Sequence, residues 1–327
     1  MITLSDINKS YKIAKRDPGL RAAAKALFHK EYEIKHALKD VSFTVKDGEM
    51  VGYIGPNGAG KSSTIKIMSG ILTPDSGFCE IDGMVPWKNR IDHVKNIGVV
   101  FGQRSQLWWD VPVGDSFELL KNIYKVDSNT YNKRISELSE MLNVGDLLKI
   151  PARQLSLGQR MRCELAGSLI HNPKILFLDE PTIGLDAVSK IAVRKFIESI
   201  NREYKTTIIL TTHDMQDIEA ITKRILFIAK GEILLDGTMD MLKKRYSGGK
   251  KIIVYYSGDY SSEDITRRGI KIIENTGGRL TAMVDTEEMS VAGAIGELCR
   301  NLNVEDISVE GISAEEVVVS LYKEYKL

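Results

Sequence analysis

A chain of 327 residues, 43% apolar and 27% charged, has the composition of a globular protein with a full core, and not of a disordered, collagenous or coiled-coil one. Its 45 basic and 44 acidic residues leave a formal net charge of +1, so no overall field draws it to a nucleic acid and no nucleic-acid partner is expected. Three widely spaced cysteines, Cys79, Cys163 and Cys299, fit neither a disulfide framework nor a paired-ligand zinc site and suit a reducing cytoplasm. No apolar run is long enough to cross a bilayer, and Met1 to Ser10 lacks a signal peptide's apolar stretch, so a soluble, unexported chain is expected.

In chain order, Ile2 to Ile7 reads as a strand. Lys9 to Lys39 then carries nine Lys or Arg against three acids, a local charge of +6. Within it Leu20, Ala23, Ala24, Leu27 and Phe28 fall on one helical face, with Arg21, Lys25 and His29 on another. This basic helical insertion, about residues 12–35, reads equally as a membrane or partner contact and as a helix packed on its own domain. From Val41 the pattern becomes α/β. Strands are expected at Val41 to Val45, Met50 to Ile54, Ile97 to Phe101, Ile175 to Leu178, Thr207 to Thr211, Arg224 to Ala229 and on to Leu235. Helices are expected at Ser62 to Ser69, Asp115 to Tyr124, Thr130 to Leu142, Gly158 to His171 and Ala187 to Glu203. Strands that are continuous apolar runs, alternating with helices, imply a mostly parallel sheet covered on both faces.

Beyond Gly237 a helix (Met239 to Tyr246) leads into a βαββαβ order with a final helix, Ala314 to Tyr325, started by the capping box Ser313 and Glu316. That order predicts a small C-terminal α+β domain of ferredoxin-like arrangement over 238–327.

Gly55-Pro56-Asn57-Gly58-Ala59-Gly60-Lys61-Ser62 fits G-x-x-x-x-G-K-[ST] between an apolar strand and a helix. Glycines let the backbone curl so that N–H groups face phosphates, Lys61 adds a point charge and Ser62 a hydroxyl for Mg2+. A chance match in a chain of this length has a probability on the order of 1% before that context is required. Downstream, the apolar strand at Ile175 ends in Asp179-Glu180, which places carboxylates at a C-terminal sheet edge, where open α/β sheets bind ligands. Asp179 reads as a metal ligand and Glu180 as the group that orients or deprotonates an attacking water.

Between these two motifs stands Leu155-Ser156-Leu157-Gly158-Gln159, and with it the sequence resembles the ATPase subunits of ABC transporters over Ile2 to Gly237. The motifs follow in that family's order: phosphate loop, signature, Asp179-Glu180, Gly184-Leu185-Asp186, then a histidine in Thr211-Thr212-His213-Asp214. The resemblance implies a P-loop ABC cassette over 1–237 with a helical subdomain at about 104–172, binding ATP and Mg2+. It implies ATP contacts from Gly55, Asn57, Gly58, Ala59, Gly60, Lys61, Ser62 and Ser63, and an adenine-stacking role for Tyr11. Gln103, in Val100-Phe101-Gly102-Gln103, is similar to a glutamine loop that senses metal and water, and His213 to a switch histidine on the γ-phosphate. Catalysis would then rest on Glu180, His213, Gln103 and Lys61, with metal held by Ser62, Gln103 and Asp179. The resemblance also implies a dimer with a second copy or homologous subunit, in which Ser156, Gly158 and Gln159 meet the partner's ATP and Asp186 lies in the loop between subunits. Leu157 departs from the commoner glycine.

Such a chain would work from the cytoplasmic face of the membrane, peripherally, on separate integral membrane permease subunits. Trp87, Trp108 and Trp109 offer a contact surface, and Ala314-Glu315-Glu316-Val317 resembles the ending of ABC-2-type exporter ATPases. The alternative is a soluble ABC-family ATPase of the iron-sulfur assembly or translation-factor type. A single phosphate loop and a sizeable tail domain fit that alternative less well.

Overall fold

The computed structural model describes residues 1–15, 31–102, 104–212, 214–246, 249–258 and 269–325. The chain divides into two compact units, Met1–Asp236 and Gly237–Leu327.

The first unit runs β1 (Ile2–Lys15), β2 (Glu31–Val45), β3 (Met50–Ile54), α1 (Lys61–Met68), β4 (Ser76–Ile81), α2 (Arg90–Val94), β5 (Ile97–Phe101), α3 (Val113–Tyr124), α4 (Ser128–Leu142), α5 (Leu157–Leu169), β6 (Ile175–Asp179), α6 (Ala187–Tyr204), β7 (Thr207–Thr211), α7 (Met215–Ile221), β8 (Arg224–Ala229) and β9 (Glu232–Gly237). Six strands form a sheet in the order β5-β6-β7-β3-β8-β9, and the pairs β5/β6, β6/β7, β7/β3 and β3/β8 are parallel. All five residues of β7 are buried, as are Ile175 to Leu178 of β6. The unbroken apolar runs follow from burial on both faces. A second sheet, β2-β1-β4, is antiparallel. Its Ile2, Leu4, Leu38, Val41 and Ile81 join Tyr53, Phe177, Ile209 and Leu226 of the parallel sheet, and Ile65 and Met68 of α1, in one core. Between β5 and β6 the chain is helical, and α3, α4 and α5 bury Phe117, Leu138 and Leu165.

The amino-terminal reading needs correction. Residues 12–15 and 31–35 are not part of a helical insertion but paired strand, with Lys12 opposite Ile34, Ile13 opposite Glu33 and Lys15 opposite Glu31. The alternation is obscured because both ribbon faces are exposed and mix charge with apolar residues, so no single buried face imposes the period-2 pattern. The expected helix face at Leu20 to Phe28 lies outside the described residues.

The second unit comprises α8 (Met239–Tyr246), β10 (Lys250–Ser257), β11 (Ile270–Thr276), β12 (Arg279–Val284), α9 (Val291–Asn301), β13 (Asn303–Glu310) and α10 (Ala314–Glu324). Its sheet order, β11-β12-β10-β13 with every pairing antiparallel, is that of a ferredoxin-like fold. The helix expected at Ser262 to Arg268 lies outside the described residues. Ala294 and Leu298 of α9 pack on Ile252, Val254, Leu280 and Ala282. Ser313 and Glu316 form the capping box of α10, each side chain accepting from the other's main-chain N–H.

Candidate nucleotide site

The loop Gly55 to Gly60 joins the C-terminal end of β3 to α1, and its backbone tolerates no side chain at two points. A Cβ on Gly55 would lie 1.9 Å from the Ile228 carbonyl oxygen of β8. At Gly60, φ is +116° and a Cβ would lie 2.6 Å from the Ala37 carbonyl oxygen. Lys61 turns back into the loop, and its Nζ donates to the carbonyl oxygens of Gly55 (2.6 Å) and Pro56 (3.1 Å). Burial pulls the Lys61 ammonium below its ordinary pKa, while the nearby charges of Glu180 and Asp179 work to hold its proton. The first turn of α1 has no acid and no described side chain caps it, so its N–H groups face the loop as anion donors. Ser62 is exposed. Ser63 Oγ lies 3.5 Å from the hydroxyl of Tyr11, a hydrogen-bond contact that brings the β1 aromatic to the phosphate loop.

The carboxylates arrive on β6. Thr211 Oγ1, at the end of the adjacent β7, donates to Asp179 Oδ1 (2.6 Å), while Glu180 N donates to the Thr211 carbonyl (3.0 Å) and hydroxyl (3.1 Å) oxygens. Glu180 takes a left-handed φ of +58°, costly for a residue with a Cβ and held by those bonds. Gly102 N donates to the Asp179 carbonyl (2.7 Å), so β5 ends beside the same carboxylates. Gln103 and His213 lie outside the described residues; Gly102, just before Gln103, is bonded to Asp179, and Thr211, two residues before His213, to both acids.

Sequence reasoning missed the network behind this edge. Asp217 of α7, almost fully buried, accepts from the hydroxyls of Thr182 and Thr212 (the latter 3.3 Å) and from the Arg194 guanidinium of α6. Asp214 accepts from Lys190 (2.5 Å), and these cationic and main-chain donors keep its carboxyl below the usual pKa despite burial. The segment beyond Glu180 and both neighbours of His213 are therefore tied together. The only sequence signal was the spacing Asp214-x-x-Asp217, two acids one turn apart.

At the signature, Ser156 caps α5. Ser156 Oγ accepts from Gln159 N (3.2 Å) and Gln159 Oε1 accepts from Ser156 N (2.9 Å), a complete capping box. Gly158 is buried, and a Cβ there would lie 2.5 Å from Ser189 Oγ of α6. Leu157 projects toward Gly184, where a Cβ would meet its Cδ2 at 2.9 Å. Asp186 caps α6, accepting from Ser189 N and Oγ (both 2.9 Å), which holds its carboxyl below the usual range. Trp108 and Trp109 are exposed, at 59% and 50%, but Trp87 is packed against the main core. Trp87 is half-buried, so part of its ring is taken up by apolar packing.

A parallel sheet whose inner strand ends in a glycine-walled loop around a buried lysine, with two carboxylates at the end of a strand two places away, defines a P-loop nucleoside triphosphatase. The pattern of the ABC transporter family matches residues 38–183. Over 242 residues the chain is 30% identical to the ABC transporter ATP-binding protein NatA of Bacillus subtilis (strain 168), covering 74% of this chain and 91% of NatA. Over 295 residues it is 29% identical to the daunorubicin resistance ATP-binding protein DrrA3 of Streptomyces coeruleorubidus, covering 89% of this chain and 93% of that one. Among solved structures, the ATP-binding cassette MJ0796, dimeric and in a post-hydrolysis state with ADP and phosphate, matches with a TM-score of 0.62 and 27% identity over 73% of this chain and 99% of its own. The chain belongs to the ABC transporter family, as an ATP-binding, ATP-hydrolysing component.

Proposed function

We propose that the chain drives export through separate integral membrane subunits by hydrolysing Mg-ATP sandwiched between two ATPase copies, peripherally at the cytoplasmic membrane face. The observation that carries the hydrolytic part is the convergence of Lys61 with Asp179 and Glu180 at one sheet edge. Lys61 would exchange its bonds to Gly55 and Pro56 for phosphate oxygens, beside the N–H groups of Gly58 to Ser63. Tyr11 would lie along the nucleoside. Glu180, fixed by its bonds to Thr211, would take the proton of the attacking water, with Gln103 and His213 orienting water and γ-phosphate.

Ser62 and Asp179 offer hydroxyl and carboxylate oxygens, the hard donors magnesium prefers, and Thr211 fixes one Asp179 oxygen. When bound, magnesium would neutralise charge developing on the β- and γ-phosphates.

The sandwich is supported by the dimeric cassette structure, and by Ser156, Gly158 and Gln159 opening a helix whose N-terminus suits an anion. Export is supported by the likeness to a daunorubicin resistance protein along nearly the whole chain. Separate membrane subunits are supported by the exposed apolar pair Trp108 and Trp109, a surface suited to a partner. The transporter names of the relatives weigh against the soluble alternative. In the Glu180→Gln variant ATP binding should persist while turnover falls at least about a hundredfold and a nucleotide-bound dimer accumulates on gel filtration. Normal turnover would remove Glu180 from the chemistry, and failure to copurify with a polytopic membrane protein would count against transport.

A further inference from the structure

Among the buried carboxylates that hydrolysis does not use, one stands in the helix that the signature opens. Glu164 lies two turns into α5, behind the signature residues, and is 4% exposed. Its carboxylate accepts from Ser105 Oγ and from Gln106 N (3.1 Å), and its main-chain carbonyl accepts from Gln106 Nε2 (2.8 Å). One turn earlier on the same helix, the Arg160 guanidinium lies 5.5 Å from the centre of the Trp109 ring. One turn later, Gly167 leaves room for the Gln106 amide, which a Cβ would approach at 3.4 Å. Two consecutive turns of α5 thus hold the stretch from Ser105 to Trp109.

That stretch carries the exposed pair Trp108 and Trp109. A carboxylate taken out of water costs several kcal/mol unless donors satisfy it, and here burial pushes the carboxyl pKa up while Ser105 and Gln106 pull it back. An apolar residue at 164 would pack without that cost, but would leave the Gln106 N–H unclaimed and the Ser105 hydroxyl with the Leu107 carbonyl alone, loosening this end of the stretch from α5 while Trp108 N stays on Ser116 Oγ.

We propose that Glu164 is a positioning residue that joins the Trp108–Trp109 surface and the signature helix into one moving body. A membrane subunit seated on the tryptophans would then alter how Ser156 to Gln159 meet the partner copy's ATP. This rests on the sandwich reading above. Coupling is reciprocal, so nucleotide engaging the signature must change the environment of the two tryptophans, and the link is measurable without the membrane subunit.

The experiment uses the full chain carrying Trp87→Phe, so that emission reports Trp108 and Trp109, and Glu180→Gln, so that ATP is not consumed. Acrylamide quenching is measured with and without Mg-ATP, and affinity is read from the ATP dependence of thermal protection. In this parent, Mg-ATP should change the quenching. Adding Glu164→Ala should abolish that change while leaving ATP affinity within about twofold, because residue 164 is remote from the phosphate loop. Glu164→Gln, which keeps the side-chain shape but loses one acceptor oxygen, should give an intermediate change and carries the test if Glu164→Ala does not fold. If the parent binds ATP and the Glu164 variants respond as it does, or if the parent shows no change, the coupling is overturned and the ATPase reading stands. If the parent binds no ATP, the nucleotide site itself fails.

Discussion

The His171 ring stacks on Tyr124 with centroids 3.8 Å apart and planes 4° from parallel, and its Nε2 donates to the Ile97 carbonyl of β5 (2.9 Å). Its Nδ1 is buried with no hydrogen-bond partner among the described residues, so a second ring proton would have nowhere to go. Burial first, then the nearby Arg134 charge, bring its pKa from 6.5 to about 4, against the pull of the Ile97 carbonyl. The sign follows from linkage. Below 6.5 the unfolded chain takes up a proton that the folded chain refuses, so this contribution to stability is complete above 6.5 and is lost as pH falls toward 4. Replacing His171 by Phe keeps the stack and removes the titration. Melting temperatures at about pH 7 and about pH 5 should therefore fall less for His171→Phe than for the wild type, and equal falls would show that His171 does not set the acid limit. Nothing in the sequence marked this residue, since a lone histidine near a helix end looks like a cap. The phosphate loop was legible for the opposite reason: Gly55, Gly60 and Lys61 answer to a ligand, whose demands recur at fixed spacing.

Helices α5 and α6 meet where Gly158 faces Ser189. With only 2.5 Å between a Cβ at 158 and Ser189 Oγ, Gly158→Ala must push α6 back or break the Ser189 bonds that cap it on Asp186. A loss of about 1 to 3 kcal/mol is expected, the ordinary cost of overpacking. Pairing it with Ser189→Gly should recover part of that loss, less about 1 kcal/mol for the glycine now in the first turn of α6. Chemical denaturation of the two single variants and the double variant measures the cycle. Strict additivity would show that the two helices do not touch there. The same glycine shows why elements were legible unequally. A helix with one continuous buried face, such as α6, stands out from periodicity, and a strand buried on both faces, such as β7, from its unbroken apolar run. Short elements did not: α2 has five residues and α7 seven, and β4, exposed over its first three positions, offers no alternation to read. The ribbon of β1 and β2 was missed because pairing rather than burial holds its outer end.

At the scale of the whole molecule, each half of the expected ATP site sits within the Met1–Asp236 unit, but the two halves make different demands. The phosphate loop, Asp179 and Glu180 assemble within one chain, the two acids fixed by Thr211 and Gly102 and facing the Lys61 charge. Ser156 and Gln159, by contrast, spend their side chains on their own helix cap, and in the proposed sandwich that helix N-terminus meets the ATP of the other copy. A site split between two copies has a consequence that a self-contained site does not. Lys61→Ala disables the phosphate loop, and Ser156→Arg places a bulky cation where the signature must approach ATP, so either variant alone should be nearly inactive. In a mixed dimer, one of the two composite sites combines the intact phosphate loop of the second variant with the intact signature of the first. Equal mixing makes half the dimers mixed, each with one good site, so hydrolysis should return to at most about a quarter of the wild-type rate. The assay is ATP hydrolysis before and after mixing, with Lys61→Ala mixed with itself and a Lys61→Ala, Ser156→Arg double variant mixed with wild type as controls. Recovery above the sum of the separate variants requires a site shared between chains. Normal hydrolysis by folded Ser156→Arg on its own would mean that each chain hydrolyses ATP by itself and that Ser156, Gly158 and Gln159 serve only to start a helix.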